Sequence, residues 1–339
     1  MSALKKITKR AVVSAIARTA PFVWRLRRPG SLVVILYHRV LPYDSVARRT
    51  EQPGMYVSPE TLDLHLSELK RYFELVHLDE WLRRAKRGAS IPKFACAITF
   101  DDGWRDNNEF ALPLLVKHAA PATIFLVSSY IGTTYRFWPN RLMELILREY
   151  SQPGSVVFPA GLREVVDPVL ADARPGVRLH IDEVDPIIRR AFKFNEDEIR
   201  ELVEVAEGQN ATNGTRDTVD PNEIAAMSAT GLVRYGSHSM THFRLHEGVS
   251  EQRLIAEIVD SQAQLQDICN QAIDLFCYPN GVASAAAVSL VSRHYLGAVM
   301  TEKGWHSPAK NPHLIPRILV HDDVSRDKEA FLQRLSGWL

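Results

Sequence analysis

The chain has 339 residues, which is enough for one large domain or for a domain that carries a substantial insertion. Its composition, 46% hydrophobic and 24% charged, is typical of a globular protein and excludes wholesale disorder. The net charge of +1 is unevenly distributed: residues 1–30 carry eight basic and no acidic side chains, whereas residues 31–339 carry 33 basic and 40 acidic ones. A body with a net charge of −7 does not suit nucleic-acid binding, and that class of function is excluded.

Residues 1–30 form a basic leader. Residues 3–28 are compatible with an amphipathic helix on an anionic membrane surface, with a poorly ordered leader, or with an organelle transit peptide. No hydrophobic stretch is long enough to span a membrane, and the run at residues 11–17 is too short for a good signal-peptide core. The three cysteines show no close C-x-x-C spacing and imply no disulfide framework. We therefore predict a cytoplasmic protein with peripheral membrane contact through the leader, in preference to a secreted or periplasmic one.

Short apolar runs alternate with helical patterns along residues 31–339, which predicts parallel β/α architecture. The predicted strands are Leu32–Tyr37, Glu74–Leu78, Phe94–Phe100, Thr123–Val127, Leu232–Gly236, Ile273–Tyr278, Leu296–Met300 and Ile318–His321. Eight strands alternating with helices predict an α/β fold, specifically a distorted TIM-like (β/α) barrel. Residues 139–221 interrupt this rhythm with a long, charged stretch, which we interpret as a mostly helical insertion.

Three serines are placed to cap predicted helices. Ser58 precedes Pro59, a residue suited to the first helical position. Ser250 can cap a helix that runs to about Ile268, and Ser325 can cap a final helix.

The first chemically suggestive segment is Thr99–Gly103, where two carboxylates directly follow a predicted buried strand. Catalytic groups of a parallel β/α barrel gather where its strands end. Successive side chains point in different directions there, so that one aspartate can bind a metal while its neighbour faces a substrate. Taken alone, Asp-Asp-Gly after a strand is equally typical of a capped turn.

The second segment is His238–His242, which also follows a predicted strand. Two histidines at i and i+4 on one helical turn face the same side and can bind one ion. Together with a carboxylate they leave one position for water, which is the arrangement of a hydrolytic zinc site. The spacing therefore predicts a metal-dependent hydrolase.

A turn ends the strand Ile273–Tyr278. Tyr278, Pro279 and Asn280 lie in it, and a Pro-x-Gly turn of this kind can direct backbone N–H groups towards an oxyanion. By itself the segment indicates only a turn.

Two more strand ends carry candidate residues. Strand alternation puts Arg317 and His321 on one face, where His321 is a candidate proton donor to a leaving group and Arg317 a candidate partner for a carboxylate. His38 follows the first strand and is a candidate pocket residue. A terminal or structural histidine is the alternative at both histidine positions.

Taken together, these segments resemble the polysaccharide deacetylase family, the NodB-homology domain of carbohydrate esterase family four. Thr99–Gly103 is similar to its T-F-D-D-G motif and His238–His242 to its H-S-x-x-H motif. Leu36–Val40 is similar to the Y-H-x-V opening of an exopolysaccharide-deacetylase branch, and the resemblance extends from about Ser31 to His321.

The resemblance implies a role for each matching residue. Asp101 is implied as the catalytic base and His321 as the general acid. The implied ligands of a divalent metal, usually zinc, are Asp102, His238 and His242.

The chain departs from the family pattern in the third and fourth motifs. The third motif often reads R-x-P-Y, and here Cys277 stands at the arginine position and Asn280 at the aromatic one. Arg317 is a candidate to take over the orienting role. The D-x-x-D-W-type fourth motif is not evident, and Trp305 is only a weak substitute for its aromatic residue.

We therefore predict a metal-dependent hydrolase that removes N-acetyl groups from sugar units of a polysaccharide or glycan precursor. Its partner is an N-acetylated carbohydrate. An O-acetyl esterase acting on a glycan would use the same residues. A catalytically silent carbohydrate-binding protein on the same fold is a second alternative, favoured by the incomplete third motif and opposed by the intact Asp101.

Overall fold

The structure, a computed structural model, describes Thr19 and residues 30–170, 181–208 and 216–336. The predicted basic leader therefore lies outside the described residues, apart from Thr19 and Gly30, and its membrane contact stays a prediction. None of the helices in the described ranges is both long and apolar enough to cross a membrane.

The chain divides into two compact units. Among the described residues, the first unit comprises Thr19, 30–40, 56–133 and 218–336, and the second comprises 41–55 with 134–170, 181–208 and 216–217.

The first unit is built on a parallel sheet of eight strands in the order β10-β1-β5-β6-β7-β8-β9, with β4 paired to β5. β2 and β3 form a separate parallel pair. The strands are β1 (Ser31–Tyr37), β2 (Arg39–Val40), β3 (Tyr56–Val57), β4 (Glu74–Leu75), β5 (Phe94–Phe100), β6 (Ala122–Leu126), β7 (Val233–Ser237), β8 (Leu275–Cys277), β9 (Gly297–Val299) and β10 (Ile318–Leu319). Every predicted strand corresponds to a strand of this sheet, and the predicted α/β barrel-like fold class is confirmed.

The sheet curls so that one chain segment meets both of its edges. The Ile315 N–H donates to the Ala298 carbonyl in β9 (2.9 Å), and Ile318 pairs with Ile35 of β1. Segment 315–319 therefore brings the end of the sheet back to its beginning, as a distorted barrel requires.

Strand residues alternate between an inner and an outer core. Val34, Ala97 and Phe125 belong to the inner cluster, whereas Val33 and Ile98 pack in the outer cluster with the surrounding helices. The same alternation continues to the end of each strand, and it therefore determines which of the polar side chains there face the inner core.

Helices flank the strands of the first unit. They are α1 (Pro59–Tyr72), α2 (Leu78–Lys86), α3 (Leu112–His118), α8 (Pro221–Ala229), α9 (Glu251–Ile255), α10 (Ser261–Cys269), α11 (Ala285–His294), α12 (Asp322–Ser325) and α13 (Lys328–Ser336). The hydroxyl of Ser58 caps α1 and that of Ser250 caps α9, as predicted.

The predicted Ser325 cap is wrong. The Ser325 hydroxyl donates to the His321 carbonyl (2.8 Å) inside the short helix α12. Helix α13 begins later, and the Asp327 carboxylate accepts from the Ala330 N–H (2.9 Å) in its first turn. Asp327 was the better cap because its carboxylate accepts the hydrogen bond that the first-turn N–H groups require.

The second unit is helical, with α4 (Trp138–Ser151), α5 (Ala160–Leu170), α6 (Ile181–Ala191) and α7 (Glu196–Glu207). These helices share their own core, which includes Leu142, Ile146, Leu162 and Ile199. The insertion that we predicted at 139–221 falls largely on this unit, but residues 41–55 also belong to it and α8 belongs to the first unit.

Candidate active site

The polar residues singled out by the sequence follow the carboxyl ends of neighbouring strands. Asp101 directly follows β5, His238 follows β7 and His38 follows β1, while Cys277 is the last residue of β8. Arg317 immediately precedes β10. In a parallel sheet the carboxyl ends of β1, β5, β7 and β8 lie on one rim, and the long side chain of Arg317 reaches that rim from the start of β10. The structure brings four of the five residues into direct contact, as described below.

Asp102, His238 and His242 form a three-residue group suited to a metal ion. The Oδ1 atom of Asp102 lies 3.4 Å from His238 Nε2 and 3.5 Å from His242 Nε2. Two ligand atoms that are each about 2.0–2.1 Å from one tetrahedral Zn²⁺ lie about 3.3–3.4 Å apart. Asp102 Oδ1 is buried without a hydrogen-bond partner, which is the condition expected of an oxygen that binds a metal ion. The residues present therefore fit a divalent metal.

The hydrogen bond at Nδ1 of His238 determines how its other ring nitrogen, Nε2, is oriented. The Cys277 carbonyl lies 2.9 Å from His238 Nδ1 and can only accept, so Nδ1 carries the hydrogen. The Nε2 lone pair then points to Asp102, and a backbone partner of this kind is typical of metal-binding histidines.

The two histidines are not on a helix, which corrects the sequence expectation. His238 and His242 lie in a loop where Ser239 (φ 65°) and His242 (φ 58°) have left-handed backbone conformations. The buried Glu257 carboxylate accepts from the Thr241 N–H (2.9 Å) and hydroxyl (2.7 Å) and holds this loop. The imidazoles still meet, with ring centroids 4.8 Å apart. No sequence signal identified Glu257, because it comes from a π-helical turn in another element.

Asp101 is paired with Arg317 in the inner core. The two guanidinium Nη atoms donate to the two carboxylate oxygens, each at 2.7 Å, and both side chains are almost completely buried. Burial alone would raise the pKa of Asp101, but the Arg317 charge and hydrogen bonds outweigh it and lower the pKa. Asp101 is therefore ionised at neutral pH.

Three further acceptors hold the guanidinium of Arg317. They are the Met300 carbonyl (2.8 Å), the Thr99 hydroxyl (3.1 Å) and Cys277 Sγ (3.2 Å). The structure thus places Arg317 where a residue that orients Asp101 must lie, and Cys277 occupies the adjoining space.

Comparisons with known proteins agree with the family resemblance of the sequence motifs. The family model described as polysaccharide deacetylase matches residues 89–167 and 194–299, which is more than half of the chain. The chain belongs to the polysaccharide deacetylase family.

One relative and two solved structures illustrate the similarity. The chain is 25% identical over 150 residues to a Bacillus subtilis (strain 168) protein named as the polysaccharide deacetylase YxkH, covering 42% of this chain and 48% of that one. The chain thus matches about half the length of this curated relative. Streptococcus pyogenes deacetylase PplD in complex with acetate aligns with a TM-score of 0.59 at 17% identity, covering 91% of this chain and 99% of that one. IcaB from Ammonifex degensii aligns at 0.56 and 16%, covering 90% and 98%. At these identities the structures support the fold alone.

The turn after β8 only partly meets the expectation of an oxyanion site in this family member. The Tyr278 N–H donates to the Val299 carbonyl (3.2 Å), and its ring packs in the outer core beside Phe276. Tyr278 is therefore withdrawn as a substrate contact, because strand alternation turns it to the outer face. Pro279 has no N–H, which leaves Asn280 (φ 56°) as the candidate backbone donor of the three.

His321 and His38 lie at the same level of the barrel as Asp101. Leu36 of β1 pairs with Leu319 of β10, and Tyr37 of β1 pairs with Phe100 of β5. When both registers are continued past the ends of the strands, His38 lies between His321 and Asp101. His321 is thus two strand spacings, about 10 Å, from Asp101. Its Nδ1 lies 3.4 Å from Asp323 Oδ2, and its pKa is lowered chiefly by burial, with the Asp323 charge opposing. Its role as a general acid stays a prediction.

Trp305 does not supply a pocket aromatic. Its indole N–H donates to the Leu335 carbonyl (3.2 Å), and its ring packs against Phe73 in the outer core. This corrects the suggestion that it replaces the aromatic residue of the fourth motif.

Proposed function

We propose that the protein is a metal-dependent hydrolase that removes N-acetyl groups from sugar units of a polysaccharide or glycan precursor. The observation that carries the proposal is the juxtaposition of two buried carboxylates with different partners. Asp102 faces two imidazoles through an unbonded oxygen, while its neighbour Asp101 is kept ionised by Arg317.

The chemistry follows from these partners. Asp102, His238 and His242 would hold a divalent metal, with zinc the best match to this nitrogen and oxygen donor set, and when bound it would supply polarisation of the acetyl carbonyl and acidification of a water molecule. The ionised carboxylate of Asp101 accepts the proton of the attacking water. Arg317 has its donors engaged by protein acceptors, so it orients the base instead of binding substrate.

The leaving group requires a proton as well. An amine departs poorly as an anion, and His321 at the rim is the proposed donor. Asn280 lies in the turn that follows β8, and its backbone N–H is the proposed contact to the developing oxyanion. His38, whose Nδ1 is buried without a hydrogen-bond partner, is proposed as a pocket residue between His321 and Asp101.

The comparisons support this proposal at the level of the reaction class. Family membership favours deacetylation of a carbohydrate. PplD, which shares the fold, is described as a deacetylase and its structure contains acetate, the product that such a reaction releases.

Acetate release from matched N-acetylated and O-acetylated oligosaccharides tests the proposal. We expect release from the N-acetylated series, loss of that release on metal removal, and its recovery when Zn²⁺ is added back. Asp267→Asn, at an exposed helix position, is the matched control for Asp101→Asn. Release only from the O-acetylated series would identify an esterase, and glycan binding without any release would identify a silent binding protein.

We also propose that the leader, residues 1–30, makes peripheral contact with anionic membranes and that the protein acts in the cytoplasm. The excess of eight basic side chains supports the contact. Co-sedimentation of the full chain with anionic vesicles, compared with a chain lacking residues 1–30 and with neutral vesicles, tests it. Equal sedimentation of the two chains would contradict it.

A further inference from the structure

The two oxygens of Asp102 have different partners. Oδ1 faces the two imidazoles and has no hydrogen-bond partner. Oδ2 accepts from the Trp104 indole N–H at 2.9 Å. An indole N–H can only donate, so this contact commits one oxygen of the carboxylate and leaves the other for a metal.

The local backbone makes this contact between residues only two positions apart. Asp102 (φ 73°) and Gly103 (φ 72°) are consecutive left-handed residues, and they turn the chain so that the indole returns to the carboxylate. The left-handed conformation at position 103 favours glycine, which has no Cβ atom to strain it. The Gly103 carbonyl in turn accepts from the Val219 N–H (2.9 Å).

The indole is itself held from the other side. The Arg39 guanidinium lies over the Trp104 ring, 4.1 Å from its centroid. Arg39 Nε donates to Asp106 Oδ2 (2.8 Å), and Asp106 Oδ1 accepts from the Val40 N–H (2.7 Å). Arg39, Trp104 and Asp106 are all more than nine-tenths buried. A cation over the ring face attracts it and polarises its N–H, which strengthens the hydrogen bond to Asp102.

We propose that Trp104, held by Arg39 and Asp106, is a positioning residue that fixes the Asp102 carboxylate for one-oxygen coordination and thereby sets the affinity for the metal. This inference rests on the proposed metal-dependent function. Its physical basis is that an anchored ligand loses little freedom on binding and cannot rotate to offer both oxygens. Partners of metal ligands act in this way in many sites.

The test compares two tryptophans in the full-length protein. Trp104→Phe keeps a ring beneath Arg39 and removes the N–H that Asp102 accepts. Trp81→Phe is the matched control, because Trp81 is equally buried and its N–H has no hydrogen-bond partner in the structure. We expect Trp104→Phe to bind Zn²⁺ about 10–100-fold more weakly in competition with a chromophoric chelator. Trp81→Phe should stay close to the wild-type affinity.

Cobalt(II) provides a readout that a general loss of stability would not produce. In Trp104→Phe the freed carboxylate can turn, so the visible absorption of bound Co²⁺ should change in position or intensity. In Trp81→Phe it should match the wild type. Unchanged Zn²⁺ affinity together with an unchanged Co²⁺ spectrum in folded Trp104→Phe would overturn the inference.

A second variant covers the case in which Trp104→Phe does not fold. Arg39→Lys keeps the positive charge beside Asp106 and removes the planar group over the indole. It should weaken Zn²⁺ binding in the same direction and by a smaller factor, and wild-type affinity in folded Arg39→Lys would overturn the inference. Failure of the wild-type chain to bind any divalent metal would instead remove the proposed function itself.

Discussion

Replacing Arg317 by methionine should leave Asp101 as an unpaired buried carboxylate. The guanidinium donates to both oxygens at 2.7 Å, and neither side chain has appreciable contact with solvent. Unit charges about 4 Å apart attract by about 4 kcal/mol at an effective dielectric constant of about 20. Breaking a buried pair by removing one partner costs about 3–5 kcal/mol, so we expect a loss of that size in the free energy of unfolding at pH 7–8.

The pH dependence of this loss provides a sharper test. In the wild type the pKa of Asp101 is lowered, so its contribution to stability is present above the pKa of the unfolded chain and is lost as pH falls. Without Arg317, burial raises that pKa, and the folded variant then binds a proton that the unfolded chain does not. The stability difference between the two proteins should therefore shrink as the pH is lowered from 8 to 5.

Urea unfolding of the metal-free proteins measures both effects. The variants are Arg317→Met, Asp101→Asn and the double variant, compared with the wild type at pH 8 and at pH 5. We expect a coupling free energy of about 3–4 kcal/mol at pH 8, with the double variant more stable than Arg317→Met. A coupling below about 1 kcal/mol, or a stability difference independent of pH, would refute the charge-pair argument.

The remaining predictions concern the metal, the base, the acid and the core. His238→Ala should lose stoichiometric metal in elemental analysis, since two ligands remain, whereas Asp101→Asn should keep its metal and lose acetate release by about 10²–10⁴-fold. His321→Ala should lose about 10²–10⁴ in kcat on an amide and much less on an aryl acetate, and equal losses on both would assign it to structure or binding. Burial lowers the pKa of His65 to about 4, so unfolding free energy should fall by about 3 kcal/mol as pH drops from 6.5 to 4, a slope that His65→Asn should flatten.

The sequence identified long, doubly buried strands best. The predicted strand Phe94–Phe100 coincides with β5, because an uninterrupted apolar run there is buried on both faces. Shorter strands were predicted too long. Ile273 is completely buried yet precedes β8, and Leu78 is buried as the first residue of α2. The run of buried hydrophobic residues therefore extends beyond the residues that form strand hydrogen bonds.

The candidate site was predictable where it depends on strand ends and alternation. Both features follow from the chain itself, so the two carboxylates after β5 and the inward direction of Arg317 could be inferred. The choice of Asp102 as the metal ligand came from the family resemblance, and the two histidines lie in a loop instead of on the predicted helical turn. Glu257 and Trp104 could not. Trp104 acts through one side-chain hydrogen bond and Glu257 through two, and their partners depend on left-handed backbone turns and on the packing of another element. Hydrophobic periodicity carries no information about either.

The placement of Arg317 also explains how a family member tolerates cysteine at the arginine position of its third motif. Cys277 is the last residue of β8 and Arg317 immediately precedes β10, yet both side chains face the inner core, and they meet at 3.2 Å. The proposed role of Asp101 as the base requires a cation that neutralises the carboxylate and aligns its oxygens, and that requirement does not specify which segment supplies the cation. A small thiol at position 277 leaves room for a guanidinium that arrives from the start of β10, so the same charge reaches Asp101 from a residue 216 positions further along the chain.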